Sequence, residues 1–455
     1  MFCLETISAD IAQHFARTTF AELPATTVHA TRRALLDAVG VMLAATGLAE
    51  DVAPYQAHAA ETPGPCRLLG SGARTSPAMA ALANGSLAHA LDFGDTFDAG
   101  PAHPNAATVP ALLALADADP AITTGELLTA MALGADLACR LSIAAPRPYE
   151  AGGWYPPPLV NTIAAAAACA KLLGLTADGI RDAMGLALLQ ASFPAEIKLD
   201  PTSPLRGVRE GFAARAAVEA ALLARAGARA FAQPLEGAGG FFAVYAGGPP
   251  TPALWDGMGE TWLGERVSFK PWPACRGTHP YIEAALALRD RVDPAAITSI
   301  EAETGPIQAM LIRPGKARPQ SAIDARFSIP YTVARALIDG QVDLDSFTPA
   351  RRQEAQVLAL TDRVIERANP AWTRAEAASG SLTIVLNDGT RHHHAVTTPM
   401  GSPERPIDDA ALTAKFVACA SHAARAIDGD VAEALAGRLL GGDPAVPAAS
   451  LLSLD

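Results

Sequence analysis

From residue 5 to about residue 240, apolar side chains recur at i, i+3, i+4 and i+7 with few interruptions. This helical period constrains the fold more than any other feature of the chain. The pattern predicts helices over 27–45, 76–92, 108–118, 124–143, 161–173, 177–191 and 211–226, with Ser76, Thr124 and Asn161 at capping positions. Hydrophobic residues make up 50% of the chain but aromatics only 5%, so the helices must pack largely through alanine. Glycine and proline cluster at 94–104, 146–158 and 195–207. In a helical scaffold such loops are where chemistry is expected.

The texture changes near residue 265. Residues 266–269, 297–304 and 380–386 alternate as strands do, and Asn387-Asp388-Gly389 followed by 391–397 reads as a β-hairpin. Helices are predicted between these strands at 281–290 and 331–339, and an amphipathic helical pattern returns over 408–440. The expected fold is therefore mainly α: a large helical domain from 1–267 and 402–455, with a smaller α+β domain over 268–401. A chain of 455 residues accommodates two or three domains.

Composition removes several function classes. A net charge of −12 disfavours nucleic acid and anionic membrane surfaces, which call for clustered Lys and Arg. The start, MFCLETISADIAQHF, does not read as a secretory signal, and the apolar runs are too short to span a bilayer. A cytoplasmic location is the expectation. Cys3, Cys66, Cys139, Cys169, Cys275 and Cys419 form no CxxC pair, and Cys139, Cys169 and Cys419 read as small core residues. Gly70-Ser-Gly72 lacks the third glycine of a dinucleotide loop. His392–His394 would point to alternate faces of a strand and make a poor metal set.

Three segments concentrate chemical side chains. The first runs from His89 through Asp92, Asp95 and Thr96 to His103, which stands between Ala102 and Pro104. Asp92 and Thr96 share a face if the helix reaches that far, while Gly94 would end it early. An imidazole near carboxylates is a common acid/base arrangement; the alternative is a helix end with a capping loop. The second, Lys270 to Pro280, holds Lys270, Cys275, Arg276 and His279 among prolines, at the expected domain junction. It reads either as a binding segment with an activated thiol or as a hinge. The third, Asp324 to Tyr331, offers Arg326, Ser328 and Tyr331 as carboxylate donors; an ordinary N-cap is the competing reading.

These segments, together with Leu82-Ala-Asn-Gly85, Ser203–Arg215 and Leu235–Phe241, resemble the MmgE/PrpD family along nearly the whole chain. The family includes 2-methylcitrate dehydratases, cis-aconitate decarboxylases and iminodisuccinate epimerases. The resemblance implies a helical larger domain split in sequence, an α+β lid, a homodimer and no metal or organic cofactor. It places the active-site pattern on Asp92, Thr96, His103, Lys270 and Tyr331. Tyr155 and Cys275 stand where decarboxylase-like members carry histidine, and Arg206, followed by Arg209, stands where many carry lysine. Tyr155, Arg206, Cys275 and His279 are accordingly the expected substrate contacts alongside Thr96.

The implied chemistry is proton movement at a carbon beside a carboxylate. His103, oriented by Asp92, would move the proton, and Lys270, Arg206 and Tyr331 would stabilise the developing charge. The expected activity is a hydro-lyase of the 2-methylcitrate dehydratase type acting on a small hydroxy polycarboxylate. The alternatives are an epimerase of an amino- or imino-dicarboxylate, a decarboxylase of a cis-aconitate-like acid, and a binding dimer without turnover.

Overall fold

A computed structural model of the chain describes residues 6–200 and 203–453, which form two compact units. The larger is drawn from residues up to Ala90, from Gly94–Val267 and from Asp408 onward. The smaller consists of Leu91–Phe93 and Ser268–Ile407.

The larger unit is a stack of helices whose contacts are made by small side chains. Ala25–Leu48, Pro77–Ala90, Pro104–Ala118, Thr124–Ile143, Pro156–Leu172, Ala177–Leu188 and Leu205–Arg225 are its main members. The last packs along both Pro77–Ala90 and Pro156–Leu172. Helix Thr124–Ile143 begins as expected, but its capping box is built on Thr123, not Thr124: the Thr123 hydroxyl accepts from Glu126 N and the Glu126 carboxylate accepts from Thr123 N. Several boundaries differ from the sequence reading. Pro156, Pro157 and Pro158 open their helix five residues before Asn161, because the first-turn N–H groups need no intrahelical partner. Asn161 is thus a buried interior residue and not a cap. Helix Pro104–Ala118 likewise starts four residues early and carries Pro110 internally. The C-terminal pattern is two helices, Asp409–Ser421 and Gly429–Gly441, the second capped by Asp428 accepting from Asp430 N. Among the described residues no helix is long and apolar enough to cross a membrane.

Cys66, Cys139, Cys169 and Cys419 are free and buried, and desolvation pushes the Cys66 and Cys419 thiols up to about 12. They are core residues. Cys3 lies outside the described residues.

His14, at 5% exposure, lies against Trp262 with ring centroids 6.1 Å apart. Burial, then Arg17 and Arg140, lowers its pKa from 6.5 to about 4. The unfolded chain takes up this proton near pH 6.5 and the folded chain only near pH 4. The contribution is therefore complete above about pH 6.5 and is lost as the pH falls toward 4. Urea titrations across that window should show a loss of up to about 3 kcal/mol from this residue, and His14→Gln should flatten that part of the profile. An unchanged profile in the variant would refute the assignment.

The smaller unit is built on a four-stranded sheet in the order Val364–Ala368, Ile297–Thr304, Gly380–Leu386, Arg391–Val396. The first pair is parallel and the others antiparallel. The hairpin forms as read: Gly389 has φ +85° and Leu386 N donates to Thr390 O at 2.9 Å. Strand Val364–Ala368 has no clear alternation in burial and was invisible to a period-two reading. Residues 266–269 are not a strand. Leu263–Arg266 is a 3-10 turn, and Phe269 N makes a single bond to Gly401 O. Helices His279–Leu288 and Ile329–Asp339 pack together, and Ile300, Ala302, Leu382 and Ile384 join them in one apolar core. On the edge strand His393 is exposed and its Nδ1 meets Thr383 Oγ1 at 3.0 Å, while His392 and His394 share the opposite face.

Candidate active site

In the helical unit, two glycines set the geometry. A Cβ on Gly85 would lie 2.8 Å from Gly211 Cα, and one on Gly211 would lie 2.4 Å from Leu82 O. Helices Pro77–Ala90 and Leu205–Arg225 therefore cross at a spacing only glycine permits. That crossing brings His89, one turn past Gly85, to Arg209, two residues before Gly211. Arg209 NH2 lies 2.9 Å from His89 Nε2. A guanidinium only donates, so His89 Nε2 accepts and the ring proton of the neutral form is on Nδ1.

The same arginine, 1% exposed, lies 4.8 Å over the Tyr155 ring and 3.3 Å from Glu210 Oε1. Glu210 is fully buried. Desolvation pushes its carboxyl upward, and Arg209 and a hydrogen bond from Asn161 oppose that shift. Asn161 Nδ2 donates to Glu210 Oε2 and to the His103 carbonyl, each at 2.9 Å. The His89 and His103 rings lie 4.4 Å apart. His103 Nδ1 is 2.9 Å from the Asp95 carbonyl, which can only accept, so His103 also carries its neutral-form proton on Nδ1 and its lone pair on Nε2. Asn105 Nδ2 holds the Asp95 carboxylate at 2.7 Å.

Nitrogen-15 NMR of histidine-labelled protein should show pyridine-like Nε2 for both His89 and His103, assigned through His→Gln variants. An Nε2–H tautomer at His103 would overturn this geometry.

In the second unit, Lys270 is fully buried and its Nζ donates to Asp92 Oδ1 at 2.5 Å and to Asp92 O at 2.9 Å. Helix Pro77–Ala90 ends before Asp92, so the shared helical face with Thr96 does not form. Asp92 instead takes φ +47°, the one positive φ at a non-glycine among the described residues. Such conformations concentrate at functional sites. Lys270 is anchored through its neighbour: Phe269 N donates to Gly401 O at 3.0 Å, and Gly401 has φ +87° and no room for a Cβ beside Phe269 O.

The remaining expected residues divide. Thr96 is buried in the helical unit at 6% exposure, and Tyr155 caps its helix beneath Arg209. Arg206, half-buried, offers its carbonyl to Arg209 NH1; the buried cation of this helix is Arg209. Cys275 is half-buried, with its N–H on the Arg326 carbonyl at 3.0 Å. The last two make bonds within their own unit. The Tyr331 hydroxyl donates to Ser346 O at 2.5 Å within the apolar core, where burial raises its pKa. His279 is fully buried with Nε2 on the Ala274 carbonyl at 3.1 Å. Both polar groups are engaged by the fold.

The sequence reading gave no role to His89, Asp95, Asn105 and Glu210, and it took Asn161 only as a cap. Glu210 carried a signal: it falls on the same helical stripe as Ala213, Ala214 and Ala217, all buried, where an unpaired charge would be prohibitive.

The MmgE/PrpD N-terminal domain matches residues 9–253 and the MmgE/PrpD C-terminal domain matches residues 272–436. The chain belongs to the MmgE/PrpD family. It is 31% identical to the cis-aconitate decarboxylase of Mus musculus over 76% of this chain and 72% of that one. It is 27% identical to the cis-aconitate decarboxylase-like protein oryM of Aspergillus oryzae over 91% and 90%. It is 26% identical to the 2-methylcitrate dehydratase of Salmonella typhimurium over 76% and 75%.

Proposed function

We propose that this protein is a lyase of the hydro-lyase type that removes a proton beside a carboxylate of a small hydroxy polycarboxylate. The observation that carries the reading is the His103 Nδ1 bond to the Asp95 carbonyl, which presents Nε2 as the basic nitrogen. A proton beside a carboxylate is weakly acidic, because its removal adds charge to a group already negative. Cations must therefore meet that charge. Lys270, held by Asp92, and Arg209, held by Glu210, supply them, and Thr96 holds a carboxylate or hydroxyl of the substrate. His103 takes the proton, the carbon–carbon double bond forms, and the β-hydroxyl leaves with a proton as water.

A second reading, decarboxylation, is favoured by the 31% identity to a cis-aconitate decarboxylase. Here the bond to a carboxylate breaks, carbon dioxide leaves, and His103, starting as the imidazolium, gives its Nε2 proton to the carbanion. Tyr155 and Cys275, in place of the histidines expected for decarboxylases, weigh against it.

Proton NMR in deuterium oxide with pooled di- and tricarboxylates tests both. New vinyl signals with the carboxylates retained support the hydro-lyase; vinyl signals with loss of a carboxylate support the second reading. Exchange beside a carboxylate without net product replaces both with an epimerase. No change in any citrate-like or malate-like acid counts against all three.

A further inference from the structure

The Gly70-Ser71-Gly72 turn has no part in the proposed reaction, and the structure gives it another setting. Strands Cys66–Arg67 and Arg74–Thr75 pair antiparallel around it. Gly70 and Gly72 take φ +80° and +75°, the backbone state that frees such a turn from side chains. Asn84 clamps the hairpin from the neighbouring helix, accepting from Leu69 N at 3.1 Å and donating to the Arg67 carbonyl at 2.9 Å. The turn thus stands as a fixed wall.

Beneath that wall, inside the helical unit, lies a cavity of about 310 Å³, at the small end of the range for ligand pockets. Val39, Leu43, Leu435 and Leu452 supply an apolar floor, and Arg74 and Arg425 stand at its edge. The charges on this edge are unbalanced. Arg67 is answered by Asp117. Among the described residues the Arg74 guanidinium bonds only the Pro65 carbonyl and that of Arg425 only the Ser71 carbonyl, the latter at 3.4 Å. Neither has a carboxylate partner among the described residues, in a chain with 47 acidic and 35 basic side chains. An apolar body needs burial, and two exposed guanidinium groups need an anion.

We propose that this cavity binds a small amphipathic carboxylate, with its aliphatic or aromatic body on the leucine floor and its carboxylate between Arg74 and Arg425. The site shares no residue with the His89–Arg209 network or with Lys270, so it stands or falls apart from the proposed reaction. A compact polycarboxylate has no body to fill the floor, which marks the ligand as a different class from the proposed substrate.

Isothermal titration of the full chain with octanoate, octanol and acetate tests the proposal. Octanoate should bind at one site per chain, with octanol and acetate at least tenfold weaker. Arg74→Gln and Arg425→Gln are surface changes that leave the fold intact, and each should weaken octanoate about tenfold, the loss of one charge-assisted contact. Leu452→Trp, near the chain end, should block binding by filling the floor. Failure of octanoate to saturate, equal binding of octanol, or undiminished binding to both glutamine variants would overturn the proposal.

Discussion

His103→Ala should cut turnover by about 10²–10⁴-fold, the range expected for removing a positioned acid or base, while leaving the fold intact. The His103 carbonyl, which receives Asn161 Nδ2, survives the substitution, and Pro104 still opens the following helix. His103→Gln sharpens the test. It keeps a group able to donate to the Asp95 carbonyl but removes the basic nitrogen, so it should be as slow as alanine and as stable as the parent. Turnover on the acid identified by NMR, alongside thermal melting of each variant, gives the result. Full activity in either variant would end the assignment of His103 as the proton carrier even if the lyase class survived.

The sequence showed the helices well because each long helix buries a continuous apolar stripe, and that stripe is what a 3.6-residue period reports. Thr124–Ile143 was legible to the residue at both ends. Where the reading failed, local chemistry gave no distinguishing sign. Three successive prolines look like a loop, yet at Pro156–Pro158 they occupy a first turn where no N–H is needed. Strand Val364–Ala368 lies at the sheet edge with four exposed residues of five, so nothing in its hydropathy marks it.

The candidate site was legible in part for the same reason. Asp92, His103 and Lys270 stood out as clusters along the chain. Arg209 was noted only as the neighbour of Arg206, and its role depends on Gly85 and Gly211 allowing two helices to touch. That contact joins positions 120 residues apart, which no local pattern encodes. Tyr331 was read as a donor from its segment alone, and the bond its hydroxyl makes to Ser346 O, 15 residues on, has no local signature.

Arg209→Met should destabilise the protein by about 3–5 kcal/mol at neutral pH, because it leaves the Glu210 carboxylate buried without its cation. The pH dependence carries the sign of that cause. Burial already raises the Glu210 pKa above its unfolded value, with Arg209 opposing the shift. An acid whose folded pKa is raised favours folding while protonated, and that advantage is lost as the pH climbs past its unfolded value near 4.5 toward the folded one. Without Arg209 the folded pKa moves higher still, so the variant should regain stability as the pH is lowered from 8 toward 5. Adding Glu210→Gln removes the charge yet keeps an acceptor for Asn161 Nδ2. The double variant should therefore recover most of the lost stability and lose the pH dependence. If Arg209 also supplies charge to the reaction, the recovered protein remains slow, with kcat depressed and His89 released from the Nδ1–H tautomer in nitrogen-15 spectra. A double variant that recovers both stability and kcat would reduce Arg209 to a structural counter-ion. A single variant as stable as the parent across this range would refute the buried pair itself.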